Sequence, residues 1–280
     1  IFDLAKENDI IMISPFSPSK MASSNYSKYI MPTPSLDLHF YTIVKYIKDS
    51  LSQSNVKILY PNTPGSQNHA YSIQALLANI NDTLPAENRI PYALVEVEAE
   101  TNDRKKFNVD DYLDADKKNI VIVTSFNEGF VHSMLTHLNL SLKKFDITVF
   151  GMPNWKDSKT LRLDYFNSLN VHYTDFEWID SKDEKNISFK KEFRKKHEAL
   201  PSFNAYLGYD LFSFFPMLID KYGLSLDKNI HNETYQGLLN FYHFQPLFSD
   251  MNNGGLTSNR IENTHLHVIS YKEFMLNLEQ

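Results

Sequence analysis

The sequence of 280 residues contains no cysteine, and this absence removes three kinds of chemistry. Disulfide bonds, thiolate metal sites and cysteine nucleophiles are all excluded. The compartment stays open, because a reducing cytosol and an envelope protein without disulfides are both compatible with the absence. The sequence also lacks any apolar run near the ~18 residues that a membrane span requires. The longest candidate, residues 211–219, ends at Asp220.

A surplus of positive charge and the common phosphate and nucleophile motifs are missing as well. The formal net charge is -6, which argues against nucleic acid as a partner, because phosphate binding needs a basic face. The turn at 64–66 lacks the glycine spacing and the lysine of a P-loop, and no Gly-x-Ser-x-Gly elbow is present. No nucleophile stands with a base, so we predict a protein that is not an enzyme and uses neither metal nor cofactor.

What the sequence does contain is an alternation of short β-branched runs with longer amphipathic segments. The run at 119–124 is continuously apolar, which is typical of a strand buried on both faces of a parallel sheet. Alternating strands and helices predict βαβ units and an α/β fold. The predicted strands are 10–13, 56–60, 92–97, 119–124 and 145–150, and the predicted helices are 38–51, 67–80 and 128–138.

The pattern changes after about residue 171. A charged stretch at 180–196 predicts a loop and then a helix over 187–199, whose charges we interpret as a solvated face. An aromatic-rich helix is predicted over 204–222. Strands are predicted at 241–248 and 265–271, with a turn at 252–255 between them.

Four passages carry a resemblance to a known family: residues 5–17, 121–128, 149–155 and 204–210. Together they resemble the type I periplasmic-binding-protein fold of the branched-chain amino-acid receptors, which are substrate-binding proteins of ABC transporters. The resemblance is closest to a bacterial envelope variant associated with LysM peptidoglycan-binding modules, and penicillin-binding-protein activators carry a similar domain. It implies two lobes, each a mainly parallel sheet flanked by helices.

The resemblance also implies how the chain divides between the lobes. Residues 1–35 and 174–252 are assigned to lobe one, and residues 36–173 and 253–280 to lobe two. The first residues have the pattern of a helix interior, and the sequence does not begin with a methionine. We therefore expect residue 1 to be an artificial or processing boundary and lobe one to lack its N-terminal strands.

Candidate binding residues stand in the turns that follow the predicted strands. Ligands of open α/β sheets bind beyond the carboxyl ends of the strands, and these turns offer hydroxyl, amide and aromatic groups. The alternative for each residue is a role as helix cap or turn former. The candidates are Ser14, Phe16, Ser17, Ser19, Asn62, Ser66, Ser125, Phe126, Asn127, Asn154 and Trp155. Phe126 and Trp155 are predicted to line an apolar wall.

The sequence departs from the amino-acid receptors at two places. Phe16 and Pro18 stand where the family has small residues and a threonine, and no acidic residue follows the strand before Gly151, where Asn154 and Trp155 stand. These departures argue against an amino acid as the ligand.

The predicted function is a non-catalytic ligand-binding or receptor domain of the periplasm or cell envelope. It would hold an unknown small molecule or peptidoglycan-related ligand in a cleft between the lobes. The alternative is a scaffold or regulator of peptidoglycan synthesis that has a vestigial cleft and binds an envelope protein. The bulky Phe16 and Pro18 favour that alternative.

Three groups of polar residues receive structural interpretations. His265 and His267 lie two apart on a predicted strand and would share a face, but no third metal ligand stands nearby. His132 and His137 lie five apart on a helix and would point in different directions. Three carboxylates, at positions 110, 111 and 114, fall in a polar segment that we interpret as a loop and helix start.

Overall fold

A computed structural model describes residues 1–15, 26–98, 107–250 and 256–279 of the chain. Its helices are α1 (Phe2–Glu7), α2 (Leu36–Ser50), α3 (Pro64–Asp82), α4 (Glu128–Ser141), α5 (Leu163–Ser168), α6 (Glu184–His197), α7 (Phe203–Tyr222) and α8 (Leu226–Asn229). Its strands are β1 (Met12–Ile13), β2 (Tyr29–Met31), β3 (Asn55–Pro61), β4 (Tyr92–Val97), β5 (Asn119–Val123), β6 (Ile147–Phe150), β7 (His172–Asp175), β8 (Thr234–Gln236), β9 (Phe241–Asp250), β10 (Leu256–Asn263), β11 (His267–Lys272) and β12 (Met275–Leu278). The predicted α/β class with two sheets is confirmed.

The chain forms two compact units. Unit 1 consists of Ile1–Ser35 and Phe176–Leu266, and unit 2 consists of Leu36–Asp175 and His267–Gln280. The last boundary therefore lies at residue 266, later than the 252 that the sequence analysis assigned. The physical reason is β10, which pairs antiparallel with β9 along most of its length and so stays in unit 1.

The sheet of unit 2 has seven strands in the order β12-β11-β7-β6-β5-β3-β4. The strands from β4 to β7 pair parallel, and Ile58 of β3 lies opposite Ile122 of β5. β11 and β12 complete the sheet in antiparallel pairs. Every residue of β5 is buried, so both faces of the sheet are covered, as its continuous apolar run predicts.

The helices of unit 2 bury their apolar stripes in one large core. On α2 the buried residues Phe40, Ile43, Val44 and Ile47 recur at helical spacing and join the core cluster of the sheet. β7 is the exception in composition, since its sequence His-Tyr-Thr-Asp is polar yet fully buried. Its polar groups are paired: the Thr174 hydroxyl lies 2.8 Å from His39 Nδ1 in a hydrogen bond.

The sheet of unit 1 has five strands in the order β1-β2-β10-β9-β8 and is mixed. β1, β2 and β10 pair parallel, whereas β10, β9 and β8 pair antiparallel. Its core is aromatic: the Phe214 ring of α7 stacks at 4.9 Å from Tyr235 and at 6.1 Å from Phe244. Such ring pairs add about 0.5–1.5 kcal/mol beyond the area they bury.

Two buried carboxylates also hold unit 1 together. Asp210 of α7 accepts hydrogen bonds from the backbone amides of Leu238 (2.7 Å) and Leu239 (2.9 Å) and from the Tyr242 hydroxyl (3.0 Å). Burial raises the pKa of Asp210, and these three donors oppose the rise. Gly237 makes the contact possible, because a Cβ atom there would lie 2.3 Å from an Asp210 oxygen.

The second carboxylate, Glu262, is fully buried on β10. It accepts a hydrogen bond from Arg260 Nε at 3.0 Å and another from the backbone amide of Ser35. The second bond links the two chain segments that compose unit 1. Buried charges need partners of this kind, because an unpaired buried carboxylate is strongly destabilising.

Several predicted elements differ from the observed ones. The last predicted strand begins at His267 rather than at 265, so His265 and His267 do not share a strand, and that prediction was wrong. The predicted turn at 252–255 lies outside the described residues. The sequence analysis missed β2, β7, β8, β10 and β12. In the part of the chain that the structure describes, no helix combines the length and apolar character that crossing a membrane requires.

Candidate functional site

An open cavity of about 620 Å³ lies in unit 2 beside the carboxyl ends of β3, β4 and β5. The end of β3 contributes Pro61 and the turn after it contributes Thr63, while β4 contributes Val97 and the residue that follows it, Glu98. The edge is the one where the sequence analysis expected a ligand, because helices α3 and α4 begin there directly after parallel strands.

The first turn of α3 forms one side of this cavity. Gly65, Ser66 and His69 line it, and Pro64 occupies the first helical position. The N-cap residue Thr63 makes no side-chain capping bond, and the first turn carries no acidic residue. The positive end of the helix dipole is therefore not offset by side chains of the helix itself.

The turn from β5 into α4 forms the opposite side. Asn127 caps α4, because its Oδ1 accepts the Phe130 amide at 2.9 Å, and the Ser125 hydroxyl oxygen accepts the Asn127 amide at 3.1 Å. The Thr124 hydroxyl donates to the Ser66 carbonyl at 3.2 Å and links the two turns. Asn127 thus has the capping role that the sequence analysis gave as the alternative, and it also lines the cavity.

The wall of the cavity is largely apolar. Phe126 is 45% exposed, and its ring meets His69 edge to face at 5.6 Å. His69 in turn lies 5.6 Å from the buried ring of Phe40. Phe130 and Met134, from the first two turns of α4, extend this surface. An aromatic wall beside hydroxyl groups is the usual composition of a small-molecule pocket.

Trp155 lies in the core rather than on this wall. Its side chain is 2% exposed, and its ring packs against Gly151, where a Cβ atom would come within 2.2 Å. Its Nε1 donates to the Ser125 carbonyl oxygen at 3.4 Å. The absence of a side chain at Gly151 leaves room for the indole, so Trp155 supports the Ser125 turn from the core.

The remaining predicted residues lie elsewhere. Asn62 is exposed and Asn154 is half-buried, and neither lines the cavity. Ser14 belongs to unit 1, where its amide donates to the Ile30 carbonyl at 2.9 Å. Phe16, Ser17 and Ser19, together with Pro18, lie outside the described residues. Ser66, Ser125, Phe126 and Asn127 are the predicted residues that the structure brings together.

Ten lining residues were not among the candidates: Pro61, Thr63, Gly65, Val97 and Gly129, and also His69, Glu98, Phe130, Ser133 and Met134. Glu98 directly follows β4, and the carboxyl ends of parallel strands share one edge, so its position was available from the strand prediction. Among the described lining residues, Glu98 is the only one with a carboxylate, and none is lysine or arginine. His69 lies in the second turn of α3, and Phe130, Ser133 and Met134 lie in the first two turns of α4, beyond the loops that hold the candidate residues.

The polar clusters outside the cavity are structural. Asp110 accepts hydrogen bonds from Lys144 Nζ (2.8 Å) and from the Ser141 hydroxyl, which hold the pKa of its carboxyl below the usual range. Asn108 caps the short 3₁₀ turn at Val109–Tyr112. Within the described ranges, no group of three or more histidine, aspartate or glutamate side chains is arranged to hold a metal ion.

Three solved structures show what this chain is similar to. A branched-chain amino-acid ABC transporter periplasmic ligand-binding protein from Burkholderia xenovorans has a TM-score of 0.68 at 12% identity, with 100% of this chain and 72% of that chain covered. An ABC transporter substrate-binding protein from Desulfitobacterium hafniense, in complex with Leu, has a TM-score of 0.64 at 12% identity, covering 99% and 75%. A leucine-binding protein from Thermotoga maritima has a TM-score of 0.54 at 10% identity, covering 100% and 75%.

At these identities the likeness shows the fold, which is that of the type I periplasmic binding proteins. No protein-family model matches the chain, and no curated protein matches it. The similar structures give no support to the LysM or peptidoglycan part of the resemblance, which stays a prediction.

Proposed function

We propose that this chain is a non-catalytic ligand-binding domain that acts outside the cytoplasm and seats a small molecule in the unit 2 cavity. The observation that carries the proposal is the cavity itself, which lies at the carboxyl ends of three parallel strands between the first turns of two helices. Its position agrees with the general rule for open α/β sheets. The sequence-based expectation that the ligand lies in a cleft between the two lobes stays a prediction.

The lining favours a small zwitterion with a compact apolar group. The exposed Phe126 ring, Phe130 and Met134 offer apolar surface, and the start of α3 favours a carboxylate. Glu98 is the one negative side chain among the described lining residues, and it disfavours a ligand that is anionic overall. An amino acid with an apolar side chain satisfies all three conditions.

Glu98 also bears on the sequence-based expectation that the ligand is not an amino acid. The case against an amino acid rested partly on the missing acidic residue near Asn154, and a carboxylate is present instead at the end of a different strand. The similar protein from Desulfitobacterium hafniense was solved with Leu, which makes leucine the natural first probe. The extracytoplasmic location rests on the same similarity of fold to periplasmic ligand-binding proteins.

Trp155 provides the test. The chain has 2 tryptophans, so Trp178→Phe leaves Trp155 as the only indole, hydrogen-bonded to the carbonyl of the cavity residue Ser125. Titration with leucine, 4-methylpentanoate and leucinamide should give a saturable change in Trp155 fluorescence. Leucine should bind best, because it alone carries the carboxylate, the ammonium and the apolar group.

A matched pair of variants checks the location. Phe126→Ala should weaken leucine binding at least about tenfold, since burial of a Phe ring contributes roughly 1.5–3 kcal/mol. Phe212→Ala, which removes a ring that is 85% exposed on α7 of unit 1, should leave the affinity unchanged. Equal effects of the two substitutions, or no saturable signal with any of the three probes, would overturn the proposal and favour the scaffold alternative.

A further inference from the structure

A second cavity, of about 440 Å³, lies in unit 1 along one side of helix α6. Besides Asn186, four residues of that helix line it: Ile187, Lys190, Lys191 and Arg194. Their spacing of three, four and seven residues places them on the same helical face. The charged helix is solvated, as expected from the sequence, but this face borders a concave surface.

The cations on this face are not neutralised within the described residues. Lys190, Lys191 and Arg194 form no ion pair with any described carboxylate, and no acidic residue lines the cavity. The chain as a whole is acidic, with a formal net charge of -6. Three unpaired cations around one depression therefore make a local site for an anion, and the low dielectric of its walls strengthens the field there.

Apart from Ser181 and Asn186, the rest of the described lining is aliphatic or aromatic. Ile179, Leu200 and Tyr206 join Ile187 in the cavity, and the buried Tyr206 ring is held against Phe189 of α6 at 5.0 Å. An inorganic anion would leave this surface in contact with water. A ligand that carries both an anionic group and an apolar group uses both parts of the lining.

Asn186 adds a third feature. Its side chain lines the cavity and is 7% exposed, and its Oδ1 atom is buried and accepts no hydrogen bond from the described residues. Its backbone amide is already used, because it donates to the capping side chain of Asp183 at 3.1 Å. A buried acceptor without a donor is unfavourable, so a ligand N–H group that reaches it contributes to binding.

We propose that the unit 1 cavity binds an acylamino carboxylate with an apolar side chain. The carboxylate lies against Lys190, Lys191 and Arg194, the amide N–H donates to Asn186 Oδ1, and the side chain covers Ile179 and Leu200. A free N-acyl amino acid and the C-terminal residue of a peptide share this chemistry. The site is separate from the unit 2 cavity, whose single charged residue has the opposite sign.

N-acetyl-L-leucine is the probe, and backbone amide chemical shifts of the full chain are the measurement. Saturable shifts should cluster at residues 179–194 and 200–206. N-acetyl-L-leucinamide, which lacks the carboxylate, and 4-methylpentanoate, which lacks the amide, should each bind at least about tenfold more weakly. Raising the ionic strength from about 0.05 M to about 0.5 M should weaken binding, because exposed charges are screened over shorter distances.

A matched set of charge variants tests the assignment. The triple variant Lys190→Gln, Lys191→Gln and Arg194→Gln should weaken binding at least about tenfold. The control Lys185→Gln, Lys195→Gln and Lys196→Gln removes the same charge from residues of α6 outside the lining and should change it little. Asn186→Leu should abolish the preference for N-acetyl-L-leucine over 4-methylpentanoate, and circular dichroism reports whether each variant folds.

A further arm distinguishes the two sources of the ligand. An acetylated hexapeptide ending in leucine should bind as tightly as N-acetyl-L-leucine if the site captures peptide C-termini, and more weakly if it takes the free acyl amino acid. Absence of saturable shifts with both probes overturns the proposal, as does equal loss in the two triple variants. Leucine binding at the unit 2 cavity is read from Trp155 and stays independent of all these outcomes.

Discussion

The two units bury polar groups in different ways. In unit 2 the core is largely aliphatic and contains buried, neutral histidines. His39 forms a hydrogen bond with Thr174, and the His172 ring stacks on Phe150 at a centroid distance of 4.9 Å. In unit 1 the core is aromatic, and buried carboxylates bind backbone amides, as Asp210 binds Leu238 and Leu239. At these positions unit 2 buries neutral imidazoles, whereas unit 1 buries a carboxylate that accepts hydrogen bonds.

The two cavities also differ in the charge of their linings. The unit 2 cavity has one carboxylate and no cation among its described lining residues, whereas the unit 1 cavity has three cations and no carboxylate. One chain therefore offers two surfaces that would select different ligands. An α/β architecture determines where the turns beside the strands lie, whereas the residues in those turns determine which ligand can bind.

Asp210→Ala gives the largest expected effect. It leaves two backbone amides and the Tyr242 hydroxyl without their acceptor, and unsatisfied buried donors cost about 1–3 kcal/mol each. We expect unit 1 to lose about 3–5 kcal/mol of unfolding free energy, measured by urea denaturation. Asp220→Ala on the exposed face of the same helix is the control and should change the stability little.

The same substitution tests whether the units are independent in their cores. Amide exchange should accelerate in α7, β8 and β9 and change less in β3 and β5. If protection falls equally in both units, the two cores unfold together. That result would contradict the view that each core is stabilised by its own buried groups.

Acidification is expected to act on unit 2. Burial lowers the pKa of His39 and of His172 to about 4, whereas an unfolded histidine titrates near 6.5. The unfolded chain then binds more protons than the folded chain between pH 6.5 and 4, so stability falls as pH decreases through that window. Between pH 7 and pH 5 the two histidines together should remove up to about 4 kcal/mol.

The slope of stability against pH is the measurement. His39→Gln and His172→Gln should each reduce the slope between pH 6.5 and 5 by about one proton, whatever they do to stability at pH 7. His197→Gln, at the exposed end of α6 in unit 1, should leave the slope unchanged. An unchanged slope in both buried variants would show that these histidines are charged in the folded protein.

Sequence reasoning reached the parallel sheet because its strands are continuously apolar. The run from Asn119 to Val123 predicts a strand buried on both faces, and β5 is that strand. It missed β7, because His172, Thr174 and Asp175 read as a polar segment. Their burial depends on partners distant in sequence, such as His39, and hydrophobic patterning contains no such information.

The candidate site was predicted in part for a similar reason. Ser125, Phe126 and Asn127 follow β5, and Ser66 lies in the first turn of the helix after β3, so the positions of these strand ends identified them. Trp155 follows a strand in the same way but lies in the core, because Gly151 leaves space for its ring. Phe130, Ser133 and Met134 line the cavity because their spacing places them on one face of α4, and the position of the preceding turn does not identify them.

Removing matched helix caps gives the smallest expected effect on stability. Asn127→Ala in unit 2 and Asp183→Ala in unit 1 each remove the side chain that accepts first-turn amides of α4 or α6. Each should cost about 1 kcal/mol, measured by thermal denaturation. Asn127→Ala should also weaken leucine binding, because Asn127 lines the unit 2 cavity, and it should leave N-acetyl-L-leucine binding unchanged. Asp183→Ala should leave leucine binding unchanged.

The most direct test of the account is a map of where leucine binds. Backbone amide shifts of the isotopically labelled chain, titrated with leucine, report every residue whose environment changes. The account predicts saturable shifts grouped at residues 63–69, 97–98 and 125–134, around the unit 2 cavity. Saturable shifts confined to other residues, or none at millimolar leucine, would contradict it.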